Sequence, residues 1–246
     1  MNEKLQKKLN HFTETDTFKL DYTKKIEDLF DLFSYKISSN FPGVWAFIES
    51  SIDGRPAAVF QSSNIAGSQS YGTLIIPKDK FYYDFKFKVD ILTKARGSFG
   101  LVFRMQDQFN YIAFEINLET GYKRVTKFVN GNLNVIQTTL DGGIPQNTWF
   151  KVEINAIKSR YIVRIGESKS HKDYDSLPIV FDFEDNTFSN GKVGLFTNGN
   201  PQFYFDKLVV SSTQCQTKWE VNPIVLVKPD NANIFVEKFE GKFGSR

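Results

Sequence analysis

The sequence predicts an all-β fold, a sandwich or a barrel, and three observations predict it. Aromatic residues dominate the apolar set, with 25 Phe and 10 Tyr against two Met, and such side chains suit a pleated, half-buried surface. From Trp45 to Val210 apolar residues recur at every second position, the period of a strand. Between these runs stand Thr120-Gly121, Asn130-Gly131, Asp141-Gly142-Gly143, Asn190-Gly191 and Asn198-Gly199, residues that accept the backbone angles of tight turns. The 246 residues fit one large domain or two small ones, and all-β sandwiches of this size are often single units.

Taken in order, residues 1–28 are polar and Lys-rich and read as an extension. The stretch "YTKKIEDLFDLFSYKI" spaces Ile26, Leu29, Phe30 and Phe33 as a short amphipathic helix would, while Phe30 and Leu32 also fit a first strand. In "YYDFKFKVDI", Tyr83, Phe85, Phe87, Val89 and Ile91 alternate with Tyr82, Asp84, Lys86, Lys88 and Asp90, predicting a strand with one apolar and one wet face. "SFGLVFRM" groups Phe99, Leu101, Phe103 and Met105, and "FKVEINAI" sets Phe150, Val152, Ile154 and Ala156 against Lys151, Glu153 and Asn155. Further strands are read in "GTLII", "NYIAFEIN", "LNVIQTT", "YIVRI" and "VGLF". Residues 190–210, "NGKVGLFTNGNPQFYFDKLVV", hold two apolar runs about a Thr197–Pro201 turn and read as a hairpin. Beyond Ser212, Pro223 and Pro229 bracket an apolar run and argue against central pairing, so residues 213–246 read as an extension or the start of another module.

Composition narrows the function classes. The net charge of +3 is mild and the lysines are scattered singly, unlike the dense basic face of a nucleic-acid binder. No apolar run is long enough to span a bilayer as a helix, and "MNEKLQKKLNHF" lacks the apolar core of a secretory leader. Cys215 stands alone, and His11 and His171 have no Cys companions, so no zinc spacing is present. Neither a Gly-x-Ser-x-Gly elbow nor a Walker-type phosphate loop occurs.

The order of "GVWAF", "DGRPAAVFQSS", "YYDFKFKVDI", "GSFGLVFRMQDQFNYIAFEIN", "TWFKVEIN", "YIVRI" and "GKVGLFT...FYFDKLVV" resembles the concanavalin A-like jelly-roll superfamily, with laminin-G-like and thrombospondin C-terminal-like modules as the nearest looks. The resemblance covers residues 29–212 and implies an antiparallel jelly-roll β-sandwich, carrying a short N-terminal helix and the C-terminal extension. It makes residues 190–210 a closing hairpin, with Val193, Leu195, Phe203 and Phe205 in the core and Asp206 at a strand end. It also implies calcium as a conceivable rim ligand, held by Asp206 or by the loops "MQDQFN", "LDGGIPQNTW" and "FEDNTFSNG", although none has EF-hand spacing.

Two constellations offer chemistry. "EINLE" sets Glu115, Asn117 and Glu119 on alternate positions, similar to the Glu-x-Asp-x-Glu strand of laminarinase-like hydrolases. That likeness would make Glu115 a nucleophile and Glu119 an acid/base; Asn117 replaces the central Asp, and Glu119 adjoins a turn. The second faces of "SFGLVFRM" and "NYIAFEIN" combine small residues with Arg104, Tyr111, Glu115 and Asn117, the mixture of stacking surface and directional polar groups that binds sugar or peptide. The expected function is a non-enzymatic recognition or adhesion module for a glycan or protein ligand, using Arg104, Tyr111, Glu115 and Asn117, without cofactor or resident metal. It would be part of a larger secreted or cell-surface protein with neighbouring domains. The alternatives are a glycan-active hydrolase using Glu115 and a purely structural module.

Overall fold

Period-two patterning produces a chain of short strands, and the strands sort by which face is apolar. The computed structural model describes residues 17–34, 43–49, 52–67, 72–199 and 201–212, all within one compact unit, residues 1–215. The C-terminal extension 213–246, Cys215 and His11 lie outside the described residues.

The strands are β1 (Thr17–Lys19), β2 (Phe30–Ser34), β3 (Trp45–Ile48), β4 (Ala58–Gln61), β5 (Thr73–Pro77), β6 (Phe85–Thr93), β7 (Ser98–Asp107) and β8 (Asn110–Asn117). They continue as β9 (Tyr122–Val129), β10 (Asn132–Thr139), β11 (Phe150–Ile157), β12 (Arg160–Glu167), β13 (Ile179–Glu184), β14 (Lys192–Asn198) and β15 (Phe203–Ser212). One sheet runs β13-β12-β11-β6-β15-β4-β3, with β1 added on β15, and the other runs β10-β9-β8-β7-β14-β5-β2. All pairings are antiparallel, giving the expected jelly-roll sandwich. Among the described residues no helix is long and apolar enough to cross a membrane.

The N-terminal ambiguity resolves into both readings at once. Ile26–Leu29 form a single helical turn, α1, and Phe30 begins β2 directly. Phe18 of β1 is buried and pairs with Val210, so the sandwich takes in residues ahead of the boundary drawn at 29.

Phe85, Phe87, Val89 and Ile91 face Val152, Ile154 and Ala156 within one sheet and fill the core, as alternation requires. Tyr82 and Tyr83 precede the strand and invert the expected order: Tyr82 is buried and Tyr83 is exposed. Ring contacts join the two layers, with Phe99 stacked on Phe203 at 4.8 Å and Phe103 against Tyr161 at 5.6 Å.

Two expectations fail for reasons of topology. Residues 190–210 are not a hairpin, because β14 lies in one sheet and β15 in the other. The turn is a corner between layers, and turn chemistry reports a reversal without naming the partner strand. Met105 leaves the Phe99, Leu101 and Phe103 face because a bulge follows Phe103, with Arg104 at φ 54. Met105 instead joins Leu74, Ile76, Val102, Tyr111, Ala113, Phe128 and Phe196, a second apolar cluster on the opposite face of its sheet.

Gly100 of β7 packs against β8 with no room for a side chain. A Cβ there would lie 2.0 Å from the Phe114 carbonyl oxygen and 3.1 Å from the Phe196 ring. Gly100→Ala is therefore predicted to destabilise the fold by about 1–3 kcal/mol, the usual cost of overpacking. Urea denaturation checks it, and a change under about 0.5 kcal/mol would mean the strands can part freely.

Candidate functional site

The register of β8 and β9 assembles a polar group at one end of the second sheet's outward face. Glu115 is paired with Arg124, and Asn117 with Tyr122. Glu115 is buried; its Oε1 accepts from the Tyr122 hydroxyl at 3.0 Å and its Oε2 from Arg124 Nε at 2.6 Å. The Arg124 guanidinium lies 4.6 Å from the centroid of the Tyr122 ring. Burial, with the adjacent Glu115 charge, raises the Tyr122 hydroxyl above the usual phenol range, so it remains a donor at neutral pH.

Arg124 and Tyr122 are half-buried. Among the described residues, the only hydrogen bond of Arg124 uses Nε, leaving its terminal nitrogens as unbonded donors. Asn117 Nδ2 donates to Ser98 Oγ at 2.8 Å, while its Oδ1 accepts from the Glu119 and Thr120 amides at 2.9 Å each. Asn117 thus shapes the turn and borders the face.

The expected foursome therefore comes together only in part. Glu115 and Asn117 share the polar end. Tyr111 lies on the same face but is buried, stacked on Phe128 at 4.5 Å within the apolar cluster. Arg104 is on the other side of the sheet: its positive φ turns the side chain into the sandwich, fully buried. Strict alternation had placed Arg104 beside Tyr111; the bulge shifts its side chain to the interior. Arg124, a partner in "YKRV" across the hairpin, was not singled out from the sequence, although period-two pairing across Thr120-Gly121 would have pointed to it.

Glu119 lies in the exposed turn after β8, and both Glu115 oxygens are engaged. The two carboxylates do not share the strand face that the laminarinase-like resemblance requires. Asp206 is not poised over a rim loop; it belongs to an ion-pair cluster. Among the described residues no three His, Cys, Asp or Glu side chains converge as a metal site.

That cluster covers the part of the first sheet's outward face around Asp90, Lys151 and Glu153, while Arg160 and Asp182 of the same face stay exposed as the expected wet face requires. Arg55 bridges Asp90 at 2.5 Å and Asp206 at 2.6 Å, and stacks 4.2 Å from the Trp149 ring centroid. Tyr174 donates to Asp90 at 2.5 Å and Tyr22 to Asp206 at 2.8 Å. Burial and these carboxylates push both phenols far above their ordinary range. Lys151 lies 3.8 Å from Asp90, and Glu153 is flanked by Lys88 at 3.5 Å and Arg164 at 3.9 Å. Asp90 is fully buried. The hydrogen bonds and ion pairs of Asp90 and Asp206 fasten the segments carrying Tyr22, Arg55 and Tyr174 to the sheet.

No protein-family model and no curated protein matches the sequence. Solved structures do match in shape. The carbohydrate-binding module CBM66 of Bacillus subtilis superposes with a TM-score of 0.52 at 19% identity, covering 81% of this chain and 98% of that one. A Bacillus subtilis protein of unknown function with a galectin-like fold gives 0.51 at 11% identity, covering 76% and 91%. The Caenorhabditis elegans galectin LEC-6 gives 0.42 at 14% identity, covering 59% and 94%. The first two show the fold, a galectin-like jelly-roll sandwich.

Proposed function

We propose that this chain is a non-enzymatic glycan-binding module whose ligand docks on the outward face of the second sheet, at Arg124, Tyr122, Glu115 and Asn117. The observation that carries it is the bracing of Arg124. A buried carboxylate and a ring hold the guanidinium in one orientation while its terminal N–H groups stay unbonded among the described residues. A preoriented fork of donors beside an aromatic surface suits the paired hydroxyls of a sugar ring. The carbohydrate-binding name of one structural neighbour supports this reading. The position of Glu119 in the exposed turn supports binding over hydrolysis, since glycoside hydrolysis needs two carboxylates facing one substrate. The same proposal places the module in the concanavalin A-like superfamily, as a laminin-G-like or thrombospondin C-terminal-like unit. Its setting would be a larger secreted or surface protein, in adhesion.

A glycan array followed by calorimetry on the best hit tests it. Arg124→Ala is expected to weaken binding about 10- to 100-fold, the worth of hydrogen bonds from a charged donor. Arg124→Lys should recover little, since an ammonium lacks the planar fork. Unchanged affinity in both variants, with the fold intact by circular dichroism, would remove this face from consideration.

A further inference from the structure

The buried Arg104 has no role in the face just described, yet its surroundings are costly to build. It lies inside the sandwich with no carboxylate partner among the described residues. Its Nε donates to the Tyr161 hydroxyl at 3.1 Å, while Nη1 donates to the carbonyls of Tyr83 and Ser189, the latter at 2.7 Å. Nη2 donates to the Lys158 carbonyl at 2.9 Å. A positive φ at a non-glycine residue adds backbone strain. A desolvated cation and a strained backbone each cost stability, and here they are spent on fixing the carbonyls of three separate segments.

What Arg104 holds is the wall of a pocket. Tyr83, Ser189 and Lys158 come from three separate segments, and all three line a cavity of about 310 Å³ at one end of the sandwich. Asp84, Ser159, Asp185, Asn186 and Phe188 complete its wall. Asp84 Oδ1 accepts from the Lys158 amide at 2.7 Å, and Lys127 ties down Asp185 at 2.6 Å. Burial raises the Asp185 carboxyl, but the hydrogen bonds from Lys127 and Thr187 outweigh it and hold the group below the usual carboxylate range. The Asp185 carboxylate is therefore charged, and hydrogen bonds fix both acidic side chains. Lys158, Ser159, Asn186 and Ser189 supply donors, so the wall is mixed in sign and rich in hydrogen-bonding groups.

Tyr83 is the exposed aromatic residue of this wall. Arg104 fixes its carbonyl, and neighbouring Tyr82 is locked to Gly191 by two backbone hydrogen bonds of 3.0 Å. The ring nevertheless remains 53% exposed. A large aromatic displayed on an immobilised backbone gains little for stability and offers a ready stacking surface. The cavity is at the lower end of the roughly 300–1,000 Å³ range of ligand pockets.

We propose that this pocket is a second, preorganised site that takes a single neutral sugar residue, with Tyr83 stacking on the ring and Asp84, Asn186 and Ser189 bonding its hydroxyls. Arg104 is a positioning residue for it. Arg124 and Glu115 lie toward the opposite end of β8 and β9, so the two sites stand or fall separately.

The test is a titration of 15N-labelled protein with glucose, galactose, mannose, N-acetylglucosamine, xylose and fructose, followed by NMR. At least one sugar is expected to shift the Tyr83, Asn186 and Ser189 amides saturably. Tyr83→Ala and Asn186→Ala, both surface substitutions, should each weaken that binding about fivefold to tenfold, whereas Arg124→Ala should leave it unchanged. Shifts confined to the Glu115 and Arg124 region would overturn this proposal while leaving the sheet-face reading intact. Absence of saturable shifts at the pocket with every sugar, or binding that survives both pocket variants, would also overturn it.

Discussion

Asp90→Ala is expected to reduce the unfolding free energy by about 3–5 kcal/mol, the cost of breaking a buried ion pair from one side. Asp90 is fully buried and accepts from Arg55 and Tyr174, with Lys151 close by. Its removal leaves Lys151 without its ion-pair partner and Arg55 with Asp206 alone. Asp90→Asn keeps an acceptor and should cost less. Arg55→Ala combined with Asp90→Ala should cost less than the sum of the single changes, because the first loss removes part of what the second can lose. Urea denaturation at constant m-value reads all three. A loss below about 1 kcal/mol for Asp90→Ala would show that the cluster behaves as an ordinary solvated surface pair.

Arg104→Met carries a comparable penalty of about 3–5 kcal/mol by a different route. The volume is roughly kept and the charge is gone, but the carbonyls of Tyr83, Ser189 and Lys158 and the Tyr161 hydroxyl lose their donor. Each buried acceptor left unpaired costs about 1–3 kcal/mol, less wherever water can enter. Arg104→Lys restores the charge without the fork and should fall between Met and wild type. The checking measurement is the urea midpoint of each variant. If Met proved as stable as Arg, the carbonyls would have found other partners, and the staple would not be what holds the three segments together.

Regular strands were legible in advance because burial there is a local matter. Phe85, Phe87, Val89 and Ile91 fill the core, and the exposed turn around Glu119 was implied by Thr120-Gly121. Reading failed where a single backbone torsion or a distant partner intervened. Arg104 was placed on the outward face, and one bulge reversed it. Asp90 was placed on a wet face, but Arg55 and Tyr174 reach it from loops far away in sequence and close it off. The turn before Phe203 was read as joining partner strands, yet it joins layers.

By itself, the amino-acid order determined the strand class, the period and the side of the pleat for residues such as Val152 and Ile154, because neighbouring side chains along an extended backbone must point opposite ways. Only the tertiary structure decided which faces meet and which charges are desolvated. Those outcomes depend on groups brought together from segments distant in sequence, and no local periodicity encodes the removal of water by a remote segment.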